Sequence, residues 1–152
     1  MIGLNDKYKN EMADKLNAYL SNVQVMYMNV RGYHWNIVGK QFFALHAKFE
    51  EIYDKLNDVA DEVAERILMI GGKPLHSFTE YLKKSSIKER LNVSSAEETV
   101  KALLADTAVL LEKEREILAM ASDNDDEGTA ALMSDLIGEQ EKMIWMFGAL
   151  LK

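Results

Sequence analysis

The chemistry open to this chain is carried by histidine and carboxylate. Cysteine is absent, which removes thiol catalysis, iron–sulfur clusters and cysteine-based zinc sites. The most suggestive grouping lies between about Gln41 and Ile70. Projected at roughly 100° per residue with His46 at zero, Leu45, Phe49, Ile52, Leu56, Val59, Val63 and Ile67 form an apolar stripe centred near about 260°. Lys48, Glu51, Lys55, Asp58, Glu62 and Arg66 occupy about 120–200°, a mixed-sign set suited to solvent. A third sector, about 0–100°, holds His46, Glu50, Asp54, Asn57, Asp61 and Glu65 together with Phe43, and contains no Lys or Arg. Acids on an outward face are ordinarily just solvated. Here the uncompensated charge lies in one line with a histidine and is flanked by Phe43, Tyr53, Ala60 and Ala64, which predicts a face that meets another surface.

Two i,i+4 pairs on this sector, His46/Glu50 and Asp61/Glu65, could each present ligands to one ion. They are too far apart to share it: His46 and Asp61 are separated by roughly 22 Å along a helix axis. Two copies packed antiparallel about a twofold axis near residues 55–56 would set His46/Glu50 of one against Asp61/Glu65 of the other, making two identical sites. The donor types suit iron, manganese or zinc. No Glu-x-x-His occurs, so the sequence argues against the di-iron site buried within one bundle.

The elements that must position these groups are helices. Glycine and the single proline act as punctuation at Gly39, at Gly71-Gly72-Lys73-Pro74 and at Gly128. A first segment repeats Met12, Leu16, Tyr19, Leu20, Val23, Tyr27 and Val30 at helical spacing. A third has Val100, Leu103, Leu104, Leu110, Leu111, Ile117 and Leu118, and a fourth Leu132, Leu136, Met143, Ile144, Phe147 and Leu151. The spacing predicts an all-α, four-helix bundle in one domain over 1–152. About twenty residues join the second and third helices, more than a simple turn needs. Within them Ser77-Phe-Thr-Glu80 has capping-box spacing and predicts a short extra helix near 77–84; Ser95-Ala-Glu-Glu98 predicts the start of the third long helix.

Composition narrows the classes further. Hydrophobic residues make up 48% of the 152, enough for a sizeable core, and 18 Lys and Arg against 25 Asp and Glu leave a net charge of −7. That field repels polyanions. No signal-like segment and no membrane-length apolar run is present, so a cytoplasmic protein without membrane contact is expected. The nine methionines read as core filling.

The segment His34-Trp35-Asn36, Gly39, Phe42, Leu45-His46, Phe49-Glu50-Glu51, Tyr53 and Asp61-Glu62-Val63-Ala64-Glu65-Arg66-Ile67 resembles the signature of the Dps family of ferritin-like mini-cages. The likeness extends over essentially the whole chain, including the short extra helix and the Gly-Gly-x-Pro stop. It implies a homo-oligomer, a dodecameric shell built on twofold dimers. Such a shell oxidises Fe²⁺, preferentially with hydrogen peroxide and otherwise with oxygen, at two-iron intersubunit sites. It stores the ferric product, a ferroxidase role that protects against oxidative stress. Carried over by residue, the resemblance assigns His34, His46 and Glu50 to one subunit and Asp61 and Glu65 to its twofold mate. Position 50 is often Asp in the family. Trp35 is implied beside the site and, with Trp145, could intercept oxidising equivalents.

His34 shows what the likeness adds, since by spacing it stays in phase with Leu16, Leu20, Tyr27 and Val30 and reads as a core histidine. Asp125, Asp126 and Glu127 fall in an acidic interhelical turn; the resemblance implies a threefold pore there, where negative charge would concentrate cations. His76 reads as surface. The competing architectural reading, a cage that compacts DNA, needs a basic tail. Only Lys7 and Lys9 stand near the start of the first helix, so weak DNA binding is expected.

Overall fold

The computed structural model describes residues 1–152 and contains five helices and no strand. They are α1 (Asp6–Asn36), α2 (Phe42–Met69), the short α3 (Phe78–Lys84), α4 (Ala96–Ser122) and α5 (Glu127–Leu150). The four long helices form the bundle: α1 lies along α2, α4 along α5, and α1 also packs on α4 and α3. No helix is long and apolar enough to cross a membrane.

The predicted start signals act as caps. Ser77 Oγ accepts from the Glu80 amide at 3.3 Å and Ser95 Oγ from the Glu98 amide at 3.2 Å, each satisfying a donor that the first helical turn leaves unpaired. Asn5 Oδ1 does the same for α1, accepting from Lys7 and Tyr8. At the end of α2, Gly71 takes φ 87°, a left-handed conformation that stops a helix. Gly72 then passes so close to α1 that an added Cβ would lie 2.7 Å from Ala13 Cβ.

All seven residues of the α2 stripe are buried, which fixes the orientation of its other two faces. Phe49 is fully enclosed, against Tyr33 of α1 (centroids 5.7 Å apart) and Phe147 of α5 (6.4 Å). The stripe on α5 is corrected by the structure. Met133, Leu136, Ile137, Gln140 and Phe147 face inward, Leu132, Met143 and Ile144 are half-buried, and Leu151 is exposed. Apolar residues lie on several sides of this helix, Trp145, Met146 and Leu150 among the exposed ones, so periodicity defines its inner face poorly.

The long connection is stitched down by three asparagines of α1. Asn17 donates to the Lys73 carbonyl and accepts from the Leu75 amide. Asn22 Oδ1 accepts from the Ser86 and Ile87 amides at 3.0 and 2.9 Å and from the Ser85 hydroxyl. Asn29 donates to the Lys88 carbonyl and accepts from the Arg90 amide. Backbone groups that no helix or sheet satisfies thus find fixed partners on the bundle surface.

Candidate metal centre

His34, in the last turn of α1, and His46, in the second turn of α2, are brought together across the short α1–α2 connection. Their rings stack with centroids 3.8 Å apart and planes at 14°. Each Nδ1 lies on the other's backbone carbonyl: His34 Nδ1 is 2.6 Å from the His46 oxygen, and His46 Nδ1 is 2.7 Å from the His34 oxygen. A carbonyl oxygen only accepts, so both Nδ1 atoms carry the proton and donate it. In the neutral imidazoles the lone pair is therefore on Nε2, the state in which histidine binds a metal. Phe42 stacks on His46 at 4.9 Å, and the Tyr53 edge meets His34 at 5.3 Å. His34 is 8% exposed, so the core position suggested by its spacing and the ligand role implied by resemblance are compatible.

The carboxylates are arranged differently. Glu50 lies one helical turn beyond His46 and is exposed, as are Asp54 and Asn57 on the same sector. Asp61 and Glu65 are also exposed, at the far end of α2. Within one chain no three His, Asp or Glu side chains form a metal-sized cluster. The fold stacks the two histidines at one end of α2 and leaves Asp61 and Glu65 exposed at the other, well apart.

Arg31 is a feature of this region that the sequence reading missed. Its guanidinium carbon is 5.1 Å from the Trp35 ring centroid, 5.3 Å from Tyr53 and 5.7 Å from Tyr27, and Nη1 donates to the Tyr27 hydroxyl at 2.7 Å. Helical spacing carried the signal, because Arg31 precedes His34 by three residues and Trp35 by four. The Tyr53 phenol is raised above its ordinary pKa by burial, then by Glu50 and Asp54, with Arg31 acting in the opposite direction. Trp35 is exposed, as is Trp145.

The three acids between α4 and α5 separate into two kinds. Asp125, at φ 57°, and Glu127 are exposed. Asp126 is only 2% exposed and caps α5: Oδ1 accepts from the Thr129 amide at 3.0 Å and from Arg66 Nη2 at 2.5 Å, and Oδ2 accepts from the Tyr8 and Thr129 hydroxyls at 2.6 and 2.7 Å. Its charge is consumed inside the subunit, so the cation-attracting part expected of it does not suit its surroundings. His76 is exposed, with Nδ1 3.1 Å from the Pro74 carbonyl.

A long crossover joining two helical hairpins, with His34 of α1 stacked on His46 of α2 and acids along the outer face of α2, defines a ferritin-like bundle. The ferritin-like domain family matches residues 13–152. A DNA protection during starvation protein from Porphyromonas gingivalis is 42% identical over 98% of this chain and 94% of its own length. An uncharacterized protein of Haemophilus influenzae is 56% identical over 97% of this chain and 92% of its own. In three dimensions, the crystal structure of a Dps protein from Vibrio cholerae O1 superimposes with a TM-score of 0.98 at 51% identity, over 100% of this chain and 96% of that one; it is described as a member of a broad superfamily of ferritin-like diiron-carboxylate proteins. The chain belongs to the Dps family of ferritin-like proteins.

Proposed function

We propose that the protein oxidises Fe²⁺ between subunits and stores the ferric product in a closed homo-oligomeric shell, a dodecamer built on twofold dimers, protecting its surroundings from oxidative damage. The observation that carries this reading is the reciprocal pair of Nδ1 hydrogen bonds, which leaves two histidine Nε2 lone pairs available beside an acidic helix face. Iron is the substrate. His34, His46 and Glu50 supply one half of each site, and Asp61 and Glu65 of a second copy supply the other, because one chain cannot close the distance along α2. Two Fe²⁺ ions held together give up two electrons, and one hydrogen peroxide with two protons becomes two waters. Pairing the electrons at one site avoids the one-electron cleavage that releases hydroxyl radical. Oxygen is the slower oxidant in this scheme, and the exposed Trp35 and Trp145 are sinks for oxidising equivalents that escape.

Asp125 and Glu127 are the acids proposed to draw cations toward a threefold pore. DNA binding is weak in this reading, since each subunit carries a net −7 and counterion release needs basic contacts. A gel shift persisting at physiological salt contradicts that part and favours the architectural cage. The protein acts in the cytoplasm.

Rapid mixing of iron-free protein with Fe²⁺ and peroxide tests the centre. The double variant His34→Ala/His46→Ala is expected to lose about a hundredfold or more in the initial oxidation rate, since both nitrogen ligands are gone. Wild-type rates in that variant, with the shell intact by sedimentation, rule the site out.

A further inference from the structure

The interior of the bundle holds a carboxylate that the iron chemistry above does not use. Glu114 of α4 is fully buried, as is Tyr19 of α1, and Gln140 of α5 is 7% exposed. The Tyr19 hydroxyl donates to Glu114 Oε1 at 2.7 Å, and Gln140 Nε2 donates to the same oxygen at 3.3 Å. Two atoms of this contact are left without a partner, Glu114 Oε2 and Gln140 Oε1, and both are acceptors. A single proton satisfies both. A carboxylic acid and a primary amide pair as a closed ring in which the acid carbonyl accepts the amide N–H while the acid O–H is donated to the amide oxygen. One arm of that ring is already present.

No cation is paired with it; the Arg115 charge nearby favours the anion but does not reach its oxygens. From α1 the facing titratable group is Tyr19, itself raised well above its ordinary pKa by burial and by Glu114. On α4 the neighbouring Arg115 is engaged through Nη2 with Glu141. On α5 Glu139 adds negative charge and holds Lys55 of α2 at 3.3 Å. Lys15 of α1 reaches Glu116 instead, on the outside of the bundle.

We propose that Glu114 is held as a neutral carboxylic acid in the folded subunit, its Oε2–H donated to the Gln140 side-chain oxygen, and that loss of this proton as pH rises is a switch that loosens the packing of α1, α4 and α5. An anion here has an oxygen without a donor in a site closed to water, a costly state. Burial pushes the carboxyl from an ordinary 4.5 up to about 7, against the Tyr19 and Gln140 hydrogen bonds and the Arg115 charge, so the switch operates near neutrality.

The test uses the whole assembled protein without iron, so it is independent of the metal centre. Infrared spectra of the wild type are expected to retain the carbonyl stretch of a protonated carboxyl at about pH 6, where exposed Asp and Glu have ionised, and Glu114→Gln is expected to lack it. Across about pH 4.5 to 7 the folded-to-unfolded ratio of the wild type falls about a hundredfold relative to Glu114→Gln, which keeps the amide pairing at every pH. Tyr19→Phe removes a donor from the anion and moves the loss of the band to higher pH, a result that does not depend on how well Glu114→Gln folds. No protonated band at about pH 6, a band unmoved in Tyr19→Phe, or the same pH dependence in wild type and Glu114→Gln overturns the proposal.

Discussion

Asp126 and Glu114 are both carboxylates closed off from solvent, at 2% and 0% exposure, and the protein treats them in opposite ways. Asp126 sits at the start of α5, where unpaired amides and the helix dipole favour an anion, and four donors including a guanidinium converge on its two oxygens. Burial alone would raise its pKa. The Tyr8 and Thr129 hydrogen bonds and Arg66 more than offset that and hold it below its ordinary 3.8. Glu114 lies in mid-helix between hydrophobic layers, with two neutral donors on one oxygen and none on the other. Burial alone therefore does not set the protonation state of a carboxyl; the partners that tertiary structure delivers to it do. Glu50, Asp61 and Glu65 form a third case, exposed carboxylates whose partners lie outside the subunit in the proposed shell.

Removing the paired acid has the largest expected effect. Asp126→Ala leaves Arg66 and Tyr8 without their acceptor and uncaps α5, and is expected to destabilise the subunit by about 3–5 kcal/mol in urea unfolding. A loss below about 1 kcal/mol would show that the cluster is not a working ion pair.

Opposite pH slopes should separate the two acids at the next level of effect. The Asp126 contribution is complete above 3.8 and is lost as pH falls through its lower folded value, so the gap between wild type and Asp126→Asn closes in acid. Glu114 has a raised folded value, so its contribution is complete below 4.5 and is lost as pH climbs to about 7. Unfolding midpoints measured across that range on wild type and the single variants are expected to diverge at opposite ends, and parallel curves refute the distinction.

A smaller effect, about 1–3 kcal/mol, is expected from Asn22→Ala, which takes the acceptor from the Ser86 and Ile87 amides. Amide exchange should accelerate in the connection around those residues before it does in α1 or α4. The mildest probe is Gly128→Ala. The new Cβ would lie 2.6 Å from Arg66 Nη1, so the guanidinium that pairs with Asp126 must shift, at a cost of about 1 kcal/mol or less that the gain in helix propensity partly offsets. In an Arg66→Ala background the same change should turn stabilising, and an unchanged sign there means that Arg66 is not what Gly128 accommodates.

Helix positions were largely legible in the chain because they depend on local rules. The apolar spacing of α2, the Ser77 and Ser95 caps and the Gly71-Gly72 stop are signals a few residues long, and the structure follows each of them. The inner face of α5 was less legible because its apolar residues surround the helix. For the candidate centre, the ligand types and the separation of His46 from Asp61 could be read directly, whereas His34 by spacing alone resembled a core residue. Glu114 and the asparagines at 17, 22 and 29 carried no strong local signal, since what matters about them is a partner tens of residues away.

By itself the sequence determined the donor set available for metal, the helical period and the breaks between helices, all of which follow from residue type and short-range spacing. Tertiary structure decided which nitrogen of each histidine is left free. It also decided that Asp126 is a buried cap while Asp125 and Glu127 remain exposed, and that Glu114 has no cation paired with it. Those outcomes depend on which distant atoms come within hydrogen-bond range and how much water is excluded, and neither quantity exists until the helices have packed.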